Sequence, residues 1–380
     1  MTEHRPGESA AAHGPLYIFA GGGTGGHIYP ALAVAEALER MTPGARMRFF
    51  CSDRAIDSRI LSRTSYEFVP LAVRGLSMRP DRLARFAVRQ CREYHRVRAM
   101  LRSALPVAVL GTGGFASAPV VLAAHRLGLP VGLLNVDAVV GRANRFLARF
   151  ADCIFVQFKE TAVQFRGAVD RMQTVGCPLR AAFNRADPDR AIRRLGLSVS
   201  KKTLLITGAS SGATSINRAV ERILPRLGQF AADWQIVHLT GLVDHERCRR
   251  AYENAPLAHV LMDYNDDMPD LYATADLLVG RAGAVSVAEY AAAGVPAICL
   301  PYPYHRDQHQ RRNAEPLVAA GAAVIVEDRP DNPEQTAEQL YVQLCGLMGD
   351  AARREGMAQA ARRLVRTDAA EAIARWLVDH

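Results

Sequence analysis

The sequence predicts an α/β protein built from two similar halves, each a parallel sheet covered by crossover helices. Three observations carry that expectation. Short apolar runs of β type alternate with longer helical patterns along almost the whole chain, as strands buried on both faces require. The alternation starts afresh near residue 203, and each series opens with a strand followed by a glycine-rich turn. A length of 380 residues also exceeds what one ordinary core organises.

Taken in order, the first series places strands at Leu16–Ala20, Met47–Cys51, Val107–Leu110, Val131–Leu134 and Cys153–Phe158. Helical patterns such as Ala31–Arg40 and Pro119–Leu127 lie between them. A charged, turn-rich stretch without a clear strand follows, so the inter-domain linker is expected near Pro178–Pro188. The second series places strands at Thr203–Thr207, Gln235–Leu239, His259–Met262, Leu277–Val279, Ala297–Leu300 and Ala323–Val326. After Asp350 the chain is rich in Ala, Arg and Glu and reads as helix. The expected layout is a disordered N-terminal extension over 1–13, a first domain over 14–180, a second over 181–350 and a C-terminal helical segment over 351–380.

Composition narrows the function classes. Hydrophobic residues at 49% and charged ones at 22% are ordinary for a globular chain and exclude wholesale disorder. The net charge of +9 is almost all arginine, since only Lys159, Lys201 and Lys202 are lysines, and it calls for an anionic partner. Nucleic acid is not expected, because no recognised motif or aromatic–basic platform appears. Seven cysteines scattered singly read as reduced thiols in the cytoplasm. The first dozen residues show no apolar signal core, and the richest apolar run, Val285 to Leu300, is broken by Glu289 and Pro296. A soluble or peripheral protein is expected.

The charge is concentrated. Residues 74–102 hold nine arginines against Asp81 and Glu93, with Leu83, Phe86, Ala87, Tyr94, Val97 and Leu101 at helical spacing. Leu76 and Met78 precede that helix in a loop, beside Arg79, Arg82 and Arg85. A basic amphipathic helix next to apolar loop residues fits a surface resting on anionic lipid. The plainer alternative has the stripe facing the core and the arginines solvated.

The glycine-rich turns carry the chemistry. Gly21-x-Gly23-x-x-Gly26 follows a strand and opens a helix, which formally fits the dinucleotide fingerprint, with Asp53 as the acid closing the second strand. Against a dehydrogenase stands His27, a titratable group immediately after the glycines. Further turns, Gly111–Phe115 and Gly208–Gly212, also follow strands, where open sheets place ligands. In the second half Gly283-Ala284 turns the chain, amides near Val285–Ser286 suit a phosphate, and Glu289 suits a ribose diol. A Ser286–Glu289 capping box is the structural alternative. The loop from Pro301 to Asn313 gathers the amide and imidazole groups that read sugar hydroxyls. His305 and His309, four apart, could ligate metal on a helix, but no third ligand at sensible spacing accompanies them, so no metal is expected.

In combination, GGGTGGHIYPALAVAEAL, GTGGFASAP, VGCPLR, GASSGATSIN, the stretch DDMPDLYATADLLVGRAGAVSVAEYAAAGVPAICLPYP and DQHQRRNA closely resemble the MurG family over about residues 16–327. These are the N-acetylglucosaminyltransferases that form lipid II in bacterial cell-wall synthesis. The resemblance implies a GT-B fold, two Rossmann-like domains facing a cleft. It implies UDP-GlcNAc on the C-terminal domain and lipid I, undecaprenyl-diphosphate-MurNAc-pentapeptide, on the N-terminal one. It further implies inversion at the anomeric carbon, no cofactor, no bound metal, and docking on the anionic cytoplasmic face of the inner membrane.

Matched to the family's motifs, the implied donor residues are Thr24, Gly25, Arg180, Ser210, Tyr264, Asn265, Val285, Ser286, Glu289, His309 and Gln310. The implied acceptor residues are Gly26, His27, Gly113, Gly114, Asp137 and Asn144. The chain departs from the family where a His-Glu-Gln-Asn run is usual: it has Leu134, Asn135, Val136 and Asp137, and Ser211 replaces the usual glutamine of the donor turn. An inverting transfer needs a base for the attacking hydroxyl, and His27 is favoured, with Asp137 as the rival. A related UDP-sugar transferase with another acceptor, and a non-catalytic UDP-sugar-binding homologue, are the alternatives.

Overall fold

A computed structural model of the chain describes residues 14–73, 75, 80–165, 167–209 and 212–380, without the side chains of 80–83. The extension expected over 1–13, together with Leu76, Met78, Arg79, Ser210 and Ser211, lies outside the described residues. The chain divides into two compact units, with the boundary between Arg180 and Ala181.

The N-terminal unit is a seven-stranded sheet in the order β3-β2-β1-β4-β5-β6-β7, parallel throughout. Its strands are β1 (Leu16–Gly21), β2 (Arg46–Ser52), β3 (Glu67–Leu71), β4 (Ala108–Gly113), β5 (Val131–Asn135), β6 (Cys153–Val156) and β7 (Met172–Thr174). Helices α1 (Gly25–Met41), α2 (Ala55–Leu61), α3 (Pro80–Ala104), α4 (Ser117–Arg126) and α5 (Arg142–Leu147) connect them. The central strands β1, β4, β5 and β6 are buried at every position, which is why they read as continuous apolar runs.

The C-terminal unit is a six-stranded parallel sheet in the order β10-β9-β8-β11-β12-β13. Its strands are β8 (Lys202–Thr207), β9 (Trp234–Leu239), β10 (Ala258–Met262), β11 (Leu277–Gly280), β12 (Ala297–Cys299) and β13 (Ala323–Ile325). Its helices are α6 (Pro188–Leu195), α7 (Thr214–Ile223), α8 (His245–Tyr252), α9 (Met268–Ala273), α10 (Ala284–Ala293), α11 (His309–Ala319), α12 (Pro333–Gly349) and α13 (Ala351–Arg363). Trp234 and Tyr252 fill its core with the aliphatic side chains of β8, α7 and α12. The GT-B fold expected from the sequence is the fold observed, two Rossmann-like parallel-sheet units.

The segment 351–380 is not one body. Helix α13 stays with the C-terminal unit, whereas α14 (Ala369–Val378) belongs to the N-terminal unit. There it packs on α1, buries Ile373, Ala374 and Leu377, and sets the Trp376 ring edge-on to Phe155 with centroids 5.8 Å apart. Arg40 and Glu371 pair at 2.6 Å across the same contact. Asp137–Val139 group with the C-terminal unit.

Helix α3 carries the basic segment from Pro80 onward. Val97 and Leu101 sit in the N-terminal core, and Phe86 meets Phe115 edge-on at 5.8 Å. Arg85, Arg89, Arg92 and Arg102 are exposed. The stripe therefore faces inward over the C-terminal half of the helix, and the arginines form a solvated face. All seven cysteines are free thiols. Among the described residues no helix is long and apolar enough to cross a membrane.

Candidate functional site

In each unit the direction of winding reverses between two adjacent strands, and the unit's glycine-rich turns border that point. In the N-terminal unit these strands are β1 and β4, and the loops leaving their carboxyl ends begin at Gly22 and Gly114. Such a crevice is where open α/β sheets hold ligands. A cavity of about 520 Å³ opens there, lined among others by Gly23, Thr24, His27, Asp53, Arg54 and Phe115.

His27 is the third residue of α1, and its Nδ1 lies 2.8 Å from the carbonyl oxygen of Gly22. A carbonyl only accepts, so Nδ1 carries the proton and the neutral ring offers a bare Nε2. The ring rests on Gly113 and Gly114. A Cβ on Gly113 would stand 3.2 Å from Nε2, and one on Gly114 would stand 2.6 Å from the Gly22 oxygen. Both glycines hold positive φ, +104° and +76°, so only glycine supplies this backbone and leaves room for the imidazole. Asn144 is buried nearby, its Nδ2 donating to Leu134 O at 3.0 Å and to Asn135 Oδ1 at 3.1 Å. Its own Oδ1 has no hydrogen-bond partner and points at the same face of Gly113, 3.3 Å from where a Cβ would be. That orphaned acceptor calls for a donor from outside the protein.

The residue that sequence reasoning missed here is Asp57. It is fully buried in α2, and its carboxylate accepts from Gly23 N at 2.8 Å, Ser52 N at 3.0 Å and Ser52 Oγ at 2.6 Å. The turn's amide is thus already satisfied by an internal anion, where a dinucleotide diphosphate would have needed it. Asp53, the acid the fingerprint selects, is exposed at the cavity wall. Thr24 is the exposed N-cap of α1, with Gly25 buried under the Tyr29 ring and Gly26 half-buried. The Arg180 guanidinium lies 4.8 Å over the Tyr29 ring, within the N-terminal unit.

In the C-terminal unit the reversal lies between β8 and β11. Helix α10 begins there after Gly283, an N-cap with no side chain of its own to close the helix end. Its first amides, through Val285 and Ser286, lie at the positive end of the helix dipole. The Ser286–Glu289 capping box is not formed, because Gly283 is the N-cap and Glu289 instead accepts from the Tyr272 hydroxyl at 3.3 Å. Arg281 braces the turn. Its buried guanidinium donates to Asp328 at 2.7 Å, Leu300 O at 2.9 Å and Ser215 Oγ at 2.8 Å.

On the loop after β12, Gln310 Oε1 accepts from Tyr302 N at 2.9 Å, and His309 opens α11. Asp307 Oδ1 lies 2.9 Å from His309 Nδ1. His305 precedes the helix, so the two histidines do not share a helical face; the chain turns back at Gln308 and brings Asp307 to both. Tyr264 and Asn265 are half-buried after β10, and Arg194 donates to Asn265 Oδ1 at 3.2 Å. Fully buried Asn313 donates to Asp137 Oδ1 at 3.0 Å and accepts from Ala138 N at 2.8 Å.

The glycosyltransferase family 28 N-terminal domain matches residues 17–156, and the family 28 C-terminal domain matches residues 203–372. The UDP-N-acetylglucosamine–N-acetylmuramyl-(pentapeptide) pyrophosphoryl-undecaprenol N-acetylglucosamine transferase of Halothermothrix orenii is 35% identical, over 91% of this chain and 94% of its own. The transferase of the same name from Geobacter sulfurreducens is also 35% identical, over 95% and 97%. The chain belongs to the MurG family. The crystal structure of Acinetobacter baumannii MurG matches it with a TM-score of 0.73 at 27% identity, covering 96% of this chain and all of that one. A UDP-GlcNAc 2-epimerase from Neisseria meningitidis, 14% identical with a TM-score of 0.68, shares the fold alone.

The segment Leu134–Asp137 stands where the sequence reading expects a departure from the family's usual run. Leu134, Asn135 and Val136 are buried, and of the four only Asp137 is partly exposed. The glycosyltransferase assignment leaves no place for the dehydrogenase reading, in keeping with the carboxylate seated at Gly23.

Proposed function

We propose that this protein transfers GlcNAc from UDP-GlcNAc to lipid I with inversion, forming lipid II. His27 is the base. The observation that carries the assignment is the bond between Nδ1 and the Gly22 carbonyl, which leaves Nε2 as the proton acceptor at the wall of the cavity. In the transfer the acceptor hydroxyl oxygen attacks the anomeric carbon, Nε2 takes its proton, and the C–O bond to UDP breaks. Asn144 Oδ1 accepts a hydrogen bond from the acceptor beside His27, while Gly113 and Gly114 keep the ring in place. The amides at Val285 and Ser286 take the charge developing on the departing diphosphate, with Arg180 as a further cation. Glu289 holds the ribose diol, Tyr264 and Asn265 the uracil through backbone, and His309 and Gln310 the sugar. Thr24, Gly25 and Ser210 complete the donor contacts, and Gly26 the acceptor contacts.

The test is UDP release from UDP-GlcNAc with and without lipid I, for the native protein, His27→Ala and Asp137→Asn, with donor binding measured alongside. Release dependent on lipid I, lost in His27→Ala with donor binding intact, supports the assignment. Near-normal turnover in His27→Ala sinks it. Loss only in Asp137→Asn moves the base to that carboxylate, which Asn313 holds in place.

A second reading follows from the buried Leu134–Val136 segment: a UDP-sugar transferase with a different acceptor. Release of UDP that lipid I does not stimulate, but another polyprenyl-linked or free acceptor does, would favour it.

The exposed arginines of α3 support a peripheral seat on the anionic cytoplasmic leaflet. Charge reversal at Arg79, Arg82 and Arg85 together should weaken binding to anionic vesicles, and unchanged binding refutes the membrane seat.

A further inference from the structure

We propose that the loop between β12 and α11 carries a three-ligand site for a borderline transition-metal ion of the Zn²⁺ or Co²⁺ class, built by His305, Asp307 and His309. One ligand atom from each of the three residues lies within 4.8 Å of the other two. The two imidazoles lie 4.4 Å apart, centroid to centroid, and Asp307 Oδ1 already touches His309 Nδ1 at 2.9 Å. Zinc–nitrogen and zinc–carboxylate bonds of about 2.0–2.2 Å imply ligand-to-ligand edges of about 3.3–3.5 Å in a tetrahedron. The observed spread stands a side-chain rotation away from closure. His305 and Asp307 are exposed, so packing does not oppose that rotation. Gln308, at φ +48°, bends the chain so that the alternate side chains converge.

The donor set selects the ion. Two imidazoles and one carboxylate suit Zn²⁺, Co²⁺, Ni²⁺ or Cu²⁺, whereas Mg²⁺ and Ca²⁺ ask for oxygen ligands in larger number. Arg306, Arg311, Arg312 and the N-terminus of α11 stand close in sequence. Their positive charge counts most against a hard ion bound by charge alone. Ligation through His309 Nδ1 needs the ring proton on Nε2, so neutral rings bind without releasing a proton. Water completes the coordination.

The consequence rests on the reading of His309 as a contact to the donor sugar. A metal that ligates His309 withdraws it from UDP-GlcNAc, so the ion and the donor compete. The ion acts as a reversible inhibitor and takes no part in transfer.

The test uses the full-length protein titrated with Co²⁺ and followed by visible absorption. One equivalent should give a ligand-field band that Zn²⁺ bleaches and that His305→Ala and Asp307→Asn each lose. A band unchanged in those variants, or one accompanied by a thiolate charge-transfer band, overturns the site and assigns the metal to cysteines. In a second arm, calorimetry follows UDP-GlcNAc with Zn²⁺ at about ten times its dissociation constant. Donor affinity should fall about tenfold in the native protein and stay unchanged in His305→Ala. Cobalt binding with donor affinity unaffected would overturn the competition and the donor reading of His309, leaving the metal site standing.

Discussion

At the reversal between β1 and β4 the start of α1 is crowded with the protein's own polar groups, whereas at the reversal between β8 and β11 α10 starts on a glycine, which has no side chain of its own to cap the helix. Asp57 fills the Gly23 amide and Gly22 O orients an imidazole. The two helix starts are therefore built differently: α1 follows the first strand of its sheet on a turn dense in glycine, and α10 follows the fourth strand of its own behind Gly280 and Gly283. In the proposed function the first positions a side chain for proton transfer, and the second receives an anion that arrives with the substrate.

That contrast can be broken experimentally. The largest effect is expected from His27→Ala, which should lower kcat by about 10²–10⁴ while leaving donor binding unchanged; a parallel loss of UDP-GlcNAc affinity would place His27 with the donor. Next comes Glu289→Gln, which loses the charged acceptor for a ribose diol. Calorimetry should find UDP affinity weakened about tenfold to a hundredfold with no change in thermal midpoint.

Asp57→Asn turns one of the accepting oxygens into a donor facing the Gly23 and Ser52 amides, at a cost of about 1–3 kcal/mol. Its thermal midpoint should fall by about 2–4 °C for each kcal/mol, and kcat should drop while UDP binding persists. Loss of UDP binding instead would mean that the first turn, too, serves the nucleotide.

The smallest effect at neutral pH separates the units by acid. Full burial in the C-terminal unit lowers the His238 pKa from 6.5 to about 3, with its nitrogens bonded to Tyr252 and Asn217 at 3.0 Å. The unfolded chain takes up this proton below about pH 6.5 and the folded one does not until about pH 3. Stability from this group is thus complete above pH 6.5 and is lost as pH falls through that window. Among the described residues His238 is the one buried histidine. Hydrogen exchange at pH 4.5 should therefore show the C-terminal unit opening before the N-terminal one. The reverse order would assign acid sensitivity elsewhere.

Every strand of the second series was legible from its apolar run, as were the five buried strands of the first. The edge strands β3 and β7 were not, because an edge carries polar residues and tolerates Pro70, which erases the continuous apolar signal. The helical pattern of Ala369–Val378 was visible, but periodicity says nothing about which core accepts a helix. Only the Trp376–Phe155 contact decides that. Among site residues, the glycines and His27 announce themselves by position. Asp57 lies inside a short helix four residues past Asp53, with no motif around it. Its role exists only once α2 folds back on β2 and aims the carboxylate at Gly23. The convergence of Asp307 with His305 and His309 was equally invisible, since a helical reading of the loop puts the two histidines on one face and Asp307 on another.

The last helix of the chain completes the first unit, and this fixes a sequence of events during synthesis. The strands and helices up to Arg180 leave the ribosome while Trp376, Ile373 and Leu377 are still unmade. At about 5–20 residues per second the remaining 200 residues take about 10–40 s. For that interval the patch on α1 and β6 that α14 will cover stays open to water and to other chains. The N-terminal unit is begun first and finished last, so a ribosome stalled after the C-terminal unit is made but before α14 emerges leaves the N-terminal unit incomplete.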